Sequence, residues 1–165
     1  MQRVLVVGGP GSGKSTLAAA IGRRTGLPVI HLDQHYWRPG WVEPDKPEWL
    51  GRVEALVGAD SWVIDGNYGS ALNVTFARAD TLVWLDLPTW LCLWRIVRRA
   101  ARHRGGVRPD MAEGCPERLE WEFVAYTATF RGAARQRIVD RLPGFRGTIM
   151  RLARRREVES FLRSL

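Results

Sequence analysis

Lysine is almost missing from this chain. Only Lys14 and Lys46 carry it among 165 residues, and arginine supplies the rest of the positive charge. Cysteine is as scarce. Cys92 and Cys115 are too few for a disulfide scaffold or a four-cysteine zinc site, which points to a reduced, cytoplasmic protein. No apolar run approaches the roughly 18 residues that a membrane-crossing helix needs, so no membrane partner is expected. The N-terminus runs directly into an apolar, strand-like segment and shows no signal peptide. No repeat, low-complexity segment or linker divides the sequence, and a single domain over 1–165 is the expectation. Acidic residues fall short of basic ones by a net charge of +8. That balance suits anionic partners, either nucleotide phosphates or nucleic acid. No helix-turn-helix, zinc-finger or RNA-binding signature is present, which makes nucleic acid the less favoured partner.

One of the two lysines stands in the most informative stretch, Gly8-Gly9-Pro10-Gly11-Ser12-Gly13-Lys14-Ser15-Thr16. It reads Gly, four free positions, Gly, Lys, Ser, the pattern of a phosphate-binding loop. An apolar β-branched run, residues 3–7, precedes it, and helix formers at 17–24 follow. Glycines accept backbone angles that let successive N–H groups turn inward around an anion. The following helix adds its N-terminal N–H groups and positive dipole end. Lys14 is then placed to reach the β- and γ-phosphates of ATP, and the Ser15 hydroxyl to bind Mg²⁺.

Strand-like runs at 29–32, 61–64, 81–86 and 147–152 alternate with helical patterns at 48–57, 71–77, 89–102 and 157–165. A long helix is expected over about 117–141, a loop over 33–41, and an irregular segment over 103–115. Alternation of this kind predicts a three-layer α/β/α domain around a parallel sheet. Ligands in such sheets bind beyond the carboxyl ends of the strands. Asp33, Asp65 and Asp86 each end or follow a strand and so belong to that edge.

Asp65 holds the place of an acid that organises Mg²⁺, although Asp-Gly is also ordinary turn chemistry. Asp33 can accept or orient the proton of an attacking hydroxyl, or satisfy local backbone N–H groups. Asp86 reads best as a cap for the helix near Pro88. His31 and His35 read as structural or substrate-lining. Tyr36, Trp37 and Trp41 can stack a planar substrate or clip over the core, and both readings stand at this point. Arg95, Arg98, Arg99 and Arg102 recur at i, i+3, i+4 and i+7 and share one helix face, with Leu91, Trp94 and Val97 left for the buried side. Arg104 and Arg108 continue the charge into the irregular segment. Arginines so placed can stabilise charge on a transferred phosphoryl group, or simply form a solvated basic face. Arg131 and Arg135 are weaker candidates.

Taken with the loop, the segments His31-Leu32-Asp33, Trp37-Arg38-Pro39-Gly40-Trp41, residues 62–68, residues 78–88 and Arg108-Pro109-Asp110 with Glu113-Gly114-Cys115 give a resemblance over nearly the whole chain. It resembles the bacterial DNA topology modulation proteins, adenylate-kinase-like members of the phosphate-loop (P-loop) kinases. The resemblance implies a nucleoside-monophosphate-kinase-like fold with a five-stranded parallel sheet, a lid at about 103–115, and ATP with Mg²⁺ as donor. The segment 152–155 would lie near the adenine. Where adenylate kinases carry Asp-Gly-Phe-Pro-Arg, this chain has Asp65-Gly66-Asn67-Tyr68-Gly69, and Arg78 is the candidate to replace the missing arginine. The AMP-pocket pattern is absent. The resulting expectation is a kinase that moves the γ-phosphoryl group of ATP to a small-molecule or nucleotide acceptor, working as a monomer or homodimer. Lys14, Asp33, Arg99, Arg104 and Arg108 would carry the chemistry; Asp33, Tyr36, Trp37 and Arg78 would hold the acceptor. The alternative is an ATP-binding regulator associated with nucleic acid and acting on DNA topology.

Overall fold

The computed structural model describes residues 1–102, 109–116 and 120–165. Five strands form one parallel sheet: β1 (Arg3–Gly8), β2 (Val29–His31), β3 (Trp62–Asp65), β4 (Thr81–Leu85) and β5 (Thr148–Leu152), in the order β2-β3-β1-β4-β5. The three central strands are almost wholly buried, which explains why they read as continuous apolar runs and not as alternating ones. The five-stranded parallel sheet expected from the sequence is therefore present.

Two apolar layers sandwich it. On one face Leu5, Val7, Trp62, Ile64, Leu82 and Trp84 pack against α3 (Lys46–Val57), α4 (Leu72–Arg78), α6 (Trp121–Thr129) with the turn after it, and α7 (Ala133–Val139). On the other, Val4, Val6, Val63, Val83 and Leu85 meet α1 (Lys14–Thr25) and α8 (Arg155–Arg163) through Leu17, Ile21 and Phe161. Each fully buried Leu, Ile or Val side chain contributes about 1.5–3 kcal/mol. Among the described residues no helix is long and apolar enough to cross a membrane.

The structure departs from the sequence reading at three elements. The expected loop at 33–41 begins as a short helix, α2 (Leu32–Tyr36), which turns the chain back at the carboxyl end of β2. The expected long helix over 117–141 is two helices, α6 and α7, with residues 117–119 outside the described part. Thr127 and Thr129 hydroxyls donate back to the Phe123 and Ala125 carbonyls, and Gly132 leaves helical geometry with ψ −124°. The break lets Phe130 bury against the phosphate loop, where a Cβ on Gly9 would lie 3.1 Å from its ring. The third departure is α5 (Thr89–Arg102), which has the expected bounds but buries Cys92 and Ile96. Trp94 and Val97 stay about half exposed. This helix packs on the phosphate loop through the face that meets Gly11, and the sheet does not dictate its orientation.

Candidate functional site

β1 ends at Gly8 and α1 begins at Lys14, so the loop between them sits at the carboxyl edge of the central strand. Gly11 and Gly13 take left-handed angles, φ +72° and +95°, and the Ser12 amide donates to the Gly9 carbonyl at 3.1 Å. Gly13 caps α1 without any side-chain hydrogen bond, and no acid stands in the first turn. The positive end of α1 therefore faces the loop uncompensated, as an anion site requires. The buried Ser12 hydroxyl has no hydrogen-bond partner among the described residues. A buried donor left unpaired costs about 1–3 kcal/mol, so this cradle fits a polar guest such as a triphosphate. Lys14 Nζ donates to the Gly9 carbonyl at 3.1 Å and lies across the loop. Burial lowers the Lys14 pKa against the opposing pull of Asp33 and Asp65. Arg95 closes the loop from α5 by donating to the Ser12 carbonyl at 2.8 Å.

Ser15 and Asp65 meet. The Ser15 hydroxyl donates to Asp65 Oδ2 at 2.7 Å, and His31 Nδ1 donates to Asp65 Oδ1. The register of β2 on β3 sets His31 directly beside Asp65. That bond is the main cause of the raised His31 pKa, with Asp110 and Asp33 adding to it against burial. The Ser–Asp oxygen pair suits a hard cation such as Mg²⁺, which keeps waters and takes few protein ligands. No cluster of three or more His, Cys, Asp or Glu that could hold a metal occurs among the described residues.

Asp33, on α2, accepts a hydrogen bond from the Tyr68 hydroxyl at 2.6 Å. Tyr36 lies over Tyr68 with ring centroids 4.1 Å apart, meets Trp37 edge-on, and Trp37 meets Trp41. These aromatics do both things the sequence allowed. They line a cavity of about 1140 Å³ that also holds Lys14, Asp65 and Arg99. Trp37 and Trp41 also clamp Met111, Ala112 and Cys115, while the Gly40 amide donates to the Gly114 carbonyl at 3.0 Å. The segment 109–116 is thereby fastened over the cavity beside the aromatic wall.

The arginines separate into groups. Arg95 and Arg99 line the main cavity. Arg98 lies over Trp94, and Arg102 joins Arg155 of α8 in a neighbouring hollow of about 390 Å³ that shares Arg95 and Arg99. Arg155 thus brings the end of the 152–155 segment to the donor side. Arg104 and Arg108 lie outside the described residues. Arg78 is not at the site: its guanidinium donates to the Val57 and Gly58 carbonyls and ties α4 to the end of α3. The arginine that does line the acceptor side is Arg137, from α7. Asp86 does not cap α5. Its buried carboxylate takes paired hydrogen bonds from Arg135 and from Arg151, and both guanidinia stack on Trp84. Burial pushes the Asp86 pKa up, but these bonds outweigh it and hold the pKa low. Sequence reasoning missed Tyr68 and the His31–Asp65 pair, although both partners of the latter end adjacent strands.

No family model matches the chain. Two glycerol kinases align over 130 residues, that of Thermococcus kodakarensis at 29% identity and that of Thermococcus onnurineus at 28%, each covering 73% of this chain. The chain spans about a quarter of the length of these curated relatives. Among solved structures, a gluconokinase from Sinorhizobium meliloti 1021 superposes with TM-score 0.56 at 17% identity, over 99% of this chain and 92% of that one. A shikimate kinase from Aquifex aeolicus superposes with TM-score 0.59 at 16% identity, over 98% and 94%. The fold is that of the phosphate-loop kinases. These comparisons reach that class and do not support the narrower likeness to DNA topology modulation proteins.

Proposed function

We propose that this chain is a phosphotransferase that moves the γ-phosphoryl group of Mg-ATP to the hydroxyl of a small acceptor. The observation that carries this reading is the shared cavity, in which the phosphate loop with Lys14 faces Asp65 and Asp33. Mg-ATP would supply the electrophilic phosphorus and the charge-neutralising cation. The amides of Gly8–Thr16 and Lys14 would hold the phosphates, and Ser15 with Asp65 would hold the metal or its waters. Asp33, oriented by Tyr68, would take the proton as the acceptor oxygen bonds to the γ-phosphorus and the bond from that phosphorus to the bridging oxygen breaks, leaving ADP. Arg99, with Arg104 and Arg108 from the lid, would stabilise charge on the moving oxygens. The segment at 109–116, held by Trp37 and Trp41, would limit water access to the reacting group. The enzyme would work in the cytoplasm as a monomer or homodimer.

The test is ADP release from Mg-ATP over a panel of nucleosides, nucleoside monophosphates and simple alcohols, for the parent and for Lys14→Ala. Loss of one preorganised cation at the transition state costs about 10²–10³ in rate. Lys14→Ala is expected to fall by at least that much while its circular dichroism is unchanged. Full transfer by a folded Lys14→Ala protein would refute the proposal.

A further inference from the structure

The wall across the cavity from the phosphate loop has a charge and texture of its own. Tyr36, Trp37, Trp41 and Tyr68 supply ring faces from one side, and Phe123 and Tyr126 of α6 from the other. Carboxylates are set among these rings. Asp33 is held by the Tyr68 hydroxyl at 2.6 Å, and Glu43 stands beside the Tyr36 hydroxyl, where burial and that carboxylate push the phenol pKa up. Asp110, Glu120 and Glu122 line the same space. Against these five acids the described acceptor-side wall holds one guanidinium, Arg137, since Lys14, Arg95 and Arg99 belong to the donor side. Arg104, Arg108 and Arg118 are outside the described residues, and the balance is that of the described walls.

This is an unusual surface to offer an anion. A phosphate or carboxylate on the acceptor meets like charge in a cleft whose low-dielectric walls concentrate the field. An ammonium group meets carboxylates and ring faces together, the combination that recognises amines and quaternary ammonium groups. The missing arginine after Asp65-Gly66 points the same way, because Tyr68 stands in that stretch and its hydroxyl is engaged with Asp33.

We propose that the acceptor is a cationic amino alcohol or amino sugar, its reacting hydroxyl beside Asp33 and its ammonium group between the aromatic rings and the carboxylates of Glu43 and Asp110. The assignment rests on the kinase reading above and names the substrate class for the same cavity. Arg137 is the one described group that would favour an anion, so anionic acceptors belong in the test.

The experiment compares skeleton-matched sets: glucosamine, glucose and gluconate; choline, ethylene glycol and glycolate; with kanamycin as a polycation. ADP release from Mg-ATP gives turnover, and calorimetry with a non-hydrolysable ATP analogue present gives binding. The amine is expected to exceed its neutral and anionic partners by at least about tenfold in kcat/KM in one or more sets. Glu43→Gln should shrink that lead by about threefold or more, through KM. Preference for gluconate or glycolate, equal use of amine and neutral partner, or no amine bound or turned over, each overturns the assignment. The two readings fail separately. Phosphorylation of gluconate would sink the amine assignment and leave the kinase. Tight amine binding with no ADP release would sink the kinase and leave the charge preference of the cavity.

Discussion

Gly11→Ala separates two costs that are usually confounded. Gly11 sits at φ +72°, and a Cβ built there lies 2.4 Å from the Cys92 carbonyl oxygen and 3.0 Å from Ile96 Cγ1. The left-handed angle alone costs a side chain about 1–2 kcal/mol. The clash adds an overpacking term of about 1–3 kcal/mol, because ordinary contact begins near 3.4 Å and either α5 or the loop must retreat by roughly 1 Å. The sum is about 3 kcal/mol, or roughly 10 °C in Tm for a chain of this size. Gly26 supplies the control. Its φ is +74°, and nothing lies within 4 Å of its would-be Cβ. Gly26→Ala should therefore show the angle cost alone, about 1 kcal/mol and roughly 3 °C.

The functional readout is the rise in Tm on adding Mg-ATP. At a hundredfold excess over Kd it amounts to about 2.7 kcal/mol, or roughly 8 °C. The parent and Gly26→Ala should both keep it. Gly11→Ala should lose more than half, because a retreat of about 1 Å carries loop amides out of hydrogen-bond range of any phosphate. The reasoning fails if Gly11→Ala melts within about 2 °C of Gly26→Ala and keeps the full nucleotide shift.

Two further predictions follow from buried carboxylates. Tyr68→Phe deletes a short charge-assisted hydrogen bond to Asp33, worth about 1.5–3 kcal/mol, so kcat for ADP release should fall about tenfold to a hundredfold with KM little changed. A KM effect alone would point to acceptor binding instead. Asp86→Asn should destabilise the protein at neutral pH by about 2–3 kcal/mol, below the usual range for a broken buried pair because the Arg151 side chain is 55% exposed and rehydrates. The Asp86 pKa is depressed in the folded state. Its stabilisation is therefore complete above the ordinary carboxylate pKa and disappears as pH falls through the lower folded value. The gap in Tm between parent and variant should close towards about pH 3 or below, and a gap as wide there as at pH 7 would contradict it.

What could be read from the sequence was local. The loop from Gly8 to Thr16 is contiguous, and β1, β3 and β4 announce themselves as unbroken apolar runs. Every misplacement involved a partner far along the chain. Asp86 looked like a cap because Arg135 and Arg151 lie 49 and 65 positions away. Arg78 looked like a ligand because nothing nearby in the sequence reveals the Val57 and Gly58 carbonyls it meets. The composition of α6 and α7 suits one continuous helix, and the interruption reflects Phe130 seeking the phosphate loop. Trp94 and Val97 looked buried because periodicity reports an apolar stripe and not which neighbour will cover it.

The placement of β2 at the border of the sheet has an evolutionary consequence. It has three residues, joins β3 alone, and carries Asp33 and the aromatic segment that follow it. The triphosphate cradle hangs instead from β1, the middle strand, gripped on both flanks. Lengthening, trading or reshaping the outer piece leaves the inner ladder intact. A lineage built on this plan is therefore free to explore new recipients of the phosphoryl group while its grip on the energy source stays constant.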